Sequence, residues 1–166
     1  MKIFIAILVL VFGVVVCWFS FFYASKISTL ANRVEVKVNN QTIIADVAKT
    51  DEDRTRGLGG RTNLGVNEGI LFLFPGSGSY GFWMKDMKIP IDIVWISGNT
   101  VVGFEANVQP PENISVEDSN LSLYFPPVSI DRVLELQAGR AATLKLRQGD
   151  TITVRPLLLN SHALEL

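Results

Sequence analysis

The feature that most constrains this chain is an uncharged run of 23 residues, Ile3 to Ser25, bracketed by Lys2 and Lys26. As a helix it would extend about 35 Å at roughly 1.5 Å per residue, enough for a hydrocarbon core of roughly 30 Å. Fifteen residues between Ile3 and Tyr23 are Leu, Ile, Val or Phe. Each favours insertion by roughly 0.3–0.6 kcal/mol, and no central charge opposes them. Trp18, Phe19, Phe21, Phe22 and Tyr23 gather at the far end, as an interfacial aromatic belt does. A cleaved signal would have a shorter apolar core and small residues at its cleavage site. Here Phe22-Tyr23 precedes Ala24-Ser25, and Val14-Val15-Val16 precedes Cys17 where a lipidated cysteine would need a small neighbour. The sequence therefore predicts an uncleaved transmembrane anchor over residues 1–25, with the lipid bilayer as its partner, and a linker over 26–33. A short N-tail before a single span places the remaining domain, 34–166, outside the cytoplasm, periplasmic or at the cell surface.

After the linker the hydrophobic pattern changes to period two. Val34, Val36 and Val38 alternate with Glu35 and Lys37, as a half-buried strand requires. Asn39-Asn40 supplies a turn and Gln41 to Lys49 the returning strand. Thr50 is a helix N-cap, with Asp51, Glu52 and Asp53 in the first turn, and the helix stops at Gly57 or Gly59-Gly60. Short β-branched or aromatic runs follow at Ile70–Phe74, Tyr80–Asp86, Ile91–Ser97, Val101–Ala106, Arg132–Leu136 and Thr151–Arg155. Ala138–Arg147 is a candidate second helix, and Asn107–Pro127, with two Pro-Pro pairs, reads as a long loop. The expected fold is mainly β, a jelly-roll-like sandwich or small barrel with one or two short helices, behind the N-terminal transmembrane helix.

Several functions are excluded by what the chain lacks. One Cys and one His, Cys17 and His162, cannot make an intrachain disulfide, a zinc finger or a multi-histidine metal site. No metal and no cofactor is expected. Beyond residue 25 the chain has 14 basic and 16 acidic residues, a net charge of −2, so no basic stripe is available for nucleic acid. Gly76-Ser77-Gly78-Ser79-Tyr80-Gly81 matches G-x-G-x-x-G, yet the helix that would hold a pyrophosphate does not follow. A flexible hairpin loop is the better reading.

Two segments carry candidate chemistry. Arg54, Arg56 and Arg61 surround the short helix, where guanidinium groups can clamp an anion or simply complement the helix dipole. Arg54, Leu58 and Arg61 share one helical face, which would turn Leu58 inward. In Phe82-Trp83-Met84-Lys85-Asp86-Met87, read as a strand, Phe82, Met84 and Asp86 alternate with Trp83, Lys85 and Met87. Lys85, Asp86 and Asp92 lie in apolar surroundings and are costly there if buried unpaired. Asp86 and Asp92 could form a general acid–base pair.

RGLGGR (56–61), GILFLF (69–74), FWMKD (82–86), IPIDIVWI (89–96), VLELQAG (133–139) and QGD (148–150), in this order, resemble the domain-of-unknown-function 192 family over residues 34 to 155. The resemblance implies a compact, mostly β domain behind a signal or anchor, and no established reaction. The family pattern has Met where this chain has Gly59, so a flexible apolar plug is missing and a cleft here would be more open. The positions matching the motifs, Arg56, Arg61, Trp83, Lys85, Asp86 and Asp92, form the candidate ligand-binding set, with Trp83, Tyr80 or Tyr124 offering flat faces to a sugar or apolar ring. The expectation is a membrane-anchored domain that binds a small or carbohydrate-like ligand. The alternatives are a metal-independent hydrolase using Asp86 and Asp92, and a structural or partner-binding module of the cell envelope.

Overall fold

In a computed structural model of the chain, residues 12–20, 32–112 and 118–157 are described. The chain divides into two units, Val34–Pro156 and a second made of Met1–Arg33 with Leu157–Leu166. In the second unit residues 12–20 are helical and exposed, with Phe12 and Trp18 both largely uncovered. No helix among the described residues is long and apolar enough to cross a membrane. Most of the expected anchor, and the linker up to residue 31, lie outside the described residues, as does His162.

In the larger unit, seven strands form one mixed sheet. They are β1 (Arg33–Val38), β2 (Gln41–Ala48), β3 (Glu68–Gly78), β4 (Ile91–Ser97), β5 (Thr100–Val108), β6 (Ile130–Gln137) and β7 (Thr153–Pro156), in the spatial order β5-β4-β6-β3-β2-β1-β7. The β2–β3 pairing is parallel, with Ile44 opposite Glu68 and Ala48 opposite Phe72. The connection between these two strands therefore crosses over the sheet, and it contains the helix α1 (Asp51–Arg56). A second short helix, α2 (Arg140–Thr143), follows β6.

The mainly β expectation holds, and of its two forms, sandwich or small barrel, the two-sheet sandwich gives way to one sheet covered on both faces. The reason lies in the central strands. Ile91, Ile93 and Trp95 of β4 feed one core, while Val94 and Ile96 feed another. Ile70 and Phe72 of β3 join the first set, Leu71 the second. A sandwich strand would bury one face only. The second core draws on all strands but β7 for its buried members, together with Ala141 and Leu144, and is wrapped by the sheet. The sheet margins meet there: Thr100 bridges Thr151, and the Val101 amide donates to the Asp150 carbonyl at 2.9 Å. The first core lies on the other face, covered by Leu58, Leu64, Phe82, Met84 and Met87 from the connecting segments.

Two sequence expectations change here. Tyr80–Asp86 is not a strand; Phe82 makes a single bridge to Tyr124, and the chain turns at Lys85-Asp86. Its alternating apolar residues instead drape onto the sheet. Gly76–Gly78 is the end of β3 and not a hairpin loop, with Gly78 opposite Ile130 after a bulge.

Candidate functional site

A cleft of about 360 Å³ opens over the first core, between α1, the end of β3, the segment 80–87 and β6. The α1 wall is set by local rules. The Thr50 hydroxyl accepts the Asp53 amide at 3.1 Å, and Gly57 ends the helix at φ +47°, a backbone state that disfavours a side chain. A Cβ at Gly57 would also meet the Phe72 ring at 3.3 Å. Leu58 then turns inward and is buried.

Arg54 ties this helix to β3. One guanidinium nitrogen donates to the Lys49 carbonyl at 2.6 Å and to the Leu73 carbonyl at 2.8 Å. The same group pairs with Asp51 and lies 5.3 Å from the Phe74 ring centre. Phe74 stacks on Tyr80 at 3.7 Å, and Phe82 meets Phe72 and Trp95 edge to face at 5.0 and 5.5 Å. These rings make a rigid apolar wall.

Three of the six sequence-predicted residues, Arg56, Trp83 and Lys85, line this cleft. Arg56 pairs with Asp53 and lies 3.6 Å from Glu52, on an exposed surface. Lys85 pairs with Asp118 and sits 5.6 Å from the Trp83 ring centre. The Asp118 hydrogen bond, and the charges of Asp118 and Asp86, hold its ammonium pKa above the usual lysine value.

The other three are elsewhere, and their placement corrects the set. Arg61 pairs with Asp46 away from the cleft lining. Asp86 is an exposed turn residue at φ +56°, and its carbonyl accepts the Gly60 amide at 2.9 Å. Asp92 is fully buried on the wrapped side of the sheet. It accepts the amides of Asn107 at 2.8 Å, Gly139 at 3.1 Å and Ala141 at 2.7 Å. Asp92 is thus the anchor that fixes the start of α2 and the end of β5. Asp86 and Asp92 do not converge, so the paired-carboxylate hydrolase loses its geometry. Of the flat faces, Tyr80 lines the cleft, whereas Tyr124 lines a smaller one beside Met84 and Gln109.

Glu135 is the residue that sequence reasoning missed. In β6 it lies opposite Ile70 of β3 and Ile93 of β4, so its side chain points into the cleft-bearing face. It lines the cleft, is 4% exposed, and no donor among the described residues reaches its Oε2. Desolvation alone pushes its carboxyl up to about 8. The signal was a lone acid between Val133-Leu134 and Leu136, in a strand flanked on both sides. Among the described residues no group of three His, Cys, Asp or Glu is placed to hold a metal ion.

Residues 34–154 match the sequence pattern of DUF192, described as Uncharacterized ACR. The chain belongs to this domain-of-unknown-function 192 family. None of the curated proteins matches it. Two solved structures are similar to the DUF192 domain. One is a Sinorhizobium meliloti protein provisionally described as a transcription regulator, 24% identical with a TM-score of 0.64, covering 74% of this chain and 92% of its own. That likeness bears on the fold alone. The other is a Novosphingobium aromaticivorans protein of unknown function, 27% identical with a TM-score of 0.61, covering 73% and 83%. Within the DUF192 pattern, Gly59 lines the cleft, and a Cβ there would lie 2.9 Å from the Arg56 carbonyl oxygen. Any side chain at this position must push the turn aside.

Proposed function

We propose that this protein is a membrane-anchored, extracytoplasmic domain that binds a small molecule in the cleft between α1 and the segment 80–87. The carrying observation is that Arg56, from the end of α1, and Trp83 with Lys85, from the segment 80–87, surround one concave site whose floor holds a buried carboxyl. Concave sites with an apolar lining and a few convergent polar groups are where small ligands bind. Arg56 and Lys85 are held by solvent-exposed ion pairs, which are weak and which a ligand's polar groups can displace. Trp83 offers a flat face of the kind sugars and apolar rings use. The anchoring part of the reading rests on the uncharged run Ile3–Ser25.

A thermal-shift screen with sugars, cell-wall fragments and organic acids tests the binding. Ligands that raise Tm for the wild type, and less for Arg56→Ala and Lys85→Ala, support it; uniformly flat results with both variants merely destabilised would refute it. External protease added to intact spheroplasts should digest residues 34–166, and full protection would refute the topology. A partner-binding module is the second reading, favoured by Leu123, Phe125 and Val128, each 53% exposed on one stretch. It expects a specific protein to co-purify and to be lost in Phe125→Ser.

A further inference from the structure

We infer that Glu135 is the selecting group of this cleft: an uncharged carboxylic acid that donates its proton in a hydrogen bond to a carbonyl or hydroxyl oxygen inserted by the ligand. The inference rests on the ligand-binding reading above and names the chemistry of the ligand's inner end. Glu135 is not a surface acid that happens to be covered. It sits in the middle of the sheet, flanked by Ile70 and Ile93, with Phe72, Phe82, Leu58 and Met87 around the cleft above it. Its Oε2 is buried and has no hydrogen-bond partner among the described residues. Leaving such a group unsatisfied is costly, and an entering oxygen would recover that cost.

The charge of that entering group follows from its neighbours. The charged or titratable side chains around the cleft are Asp51, Arg54, Arg56, Tyr80 and Lys85. Arg54 is paired with Asp51, Arg56 with Asp53 and Lys85 with Asp118, so the rim carries no excess charge to draw an ion of either sign inward. A cation at the floor would need an ionised Glu135 deep in apolar surroundings. An anion carried to the floor loses its hydration and meets the Glu135 carboxyl there. An uncharged oxygen acceptor pays neither penalty.

Matched aromatic probes separate these cases: acetophenone for an uncharged acceptor, benzylamine for a cation and benzoate for an anion. They are titrated into the ¹⁵N-labelled full-length chain in lipid nanodiscs, following the amides of Gly57, Leu58 and Gly59. At pH 6.5 acetophenone should bind at least tenfold more tightly than either charged probe. Raising the pH to 9 should weaken acetophenone at least fivefold, because the donor proton leaves. Glu135→Gln keeps a donor that does not titrate, so acetophenone binding should persist and lose its pH dependence. Glu135→Leu, which folds without any buried polar atom there, should lose it. Tighter binding of benzylamine, strengthening with pH, would overturn the inference and leave the cleft as a binding site. No shift with any probe would overturn both.

Discussion

Replacing Glu135 by Gln should change how stability depends on pH, and the size of the change follows from the burial of one carboxyl. In the folded chain this group keeps its proton up to about pH 8, against an ordinary value of 4.5. Between those values the folded state binds more protons than the unfolded one, so stability falls as pH rises. The contribution is fully present below about pH 4.5 and is gone once pH has passed through about 8. From pH 5 to pH 7, two units at about 1.36 kcal/mol each come to about 3 kcal/mol lost by the wild type. Glu135→Gln has nearly the same shape and no such loss. Groups common to both chains cancel in the difference. Urea unfolding at pH 5, 6 and 7, followed by tryptophan fluorescence, should therefore show the variant gaining on the wild type by about 3 kcal/mol over this range. Profiles that run parallel, diverging by less than about 1 kcal/mol, would refute the picture of a dry, unpartnered carboxyl.

Asp92→Ala should destabilise the domain by about 3 kcal/mol in the same assay, because three backbone amides, that of buried Ala141 among them, lose their acceptor at once. Asn39 and Asn40 both adopt positive φ, at 47° and 63°, so Asn40→Gly should be neutral or stabilising by up to about 1 kcal/mol in thermal unfolding. Asn39→Gly should instead destabilise, because the Asn39 amide donates to the Leu144 carbonyl at 3.1 Å and to Asp150 at 2.8 Å. Gly59→Met should lower Tm and close the cleft to acetophenone, since its Cβ collides with the Arg56 carbonyl. A variant that retains both stability and binding would show that the turn moves freely.

How far the sequence foretold these features depended on whether a residue's partners were close in the chain. The β1–β2 hairpin and β4 were legible because strict alternation and β-branched runs are local properties, and so was the Thr50 cap with its first-turn acids. The segment 80–86 was misread because a loop that buries Phe82 and Met84 against a sheet shows the same alternation as a strand. Asp92 looked like a site residue because its three amide donors lie 15 to 49 positions away. Glu135 was not singled out, because one acid in a short apolar run is what a one-sided strand turns to solvent. Only the covering of both sheet faces makes it an interior group.

The β1–β7 ladder puts Val34 opposite Pro156, so the polypeptide enters and leaves this body through adjacent strands. β7 is a latch of four residues at the sheet's margin. Truncation before Thr153 would leave β1 as a bare edge, its Val34–Val38 backbone offering unmatched amides and carbonyls to any passing strand. Shortened versions of this protein are thus expected to clump rather than simply unfold, and residues 153–156 act as its guard against that fate.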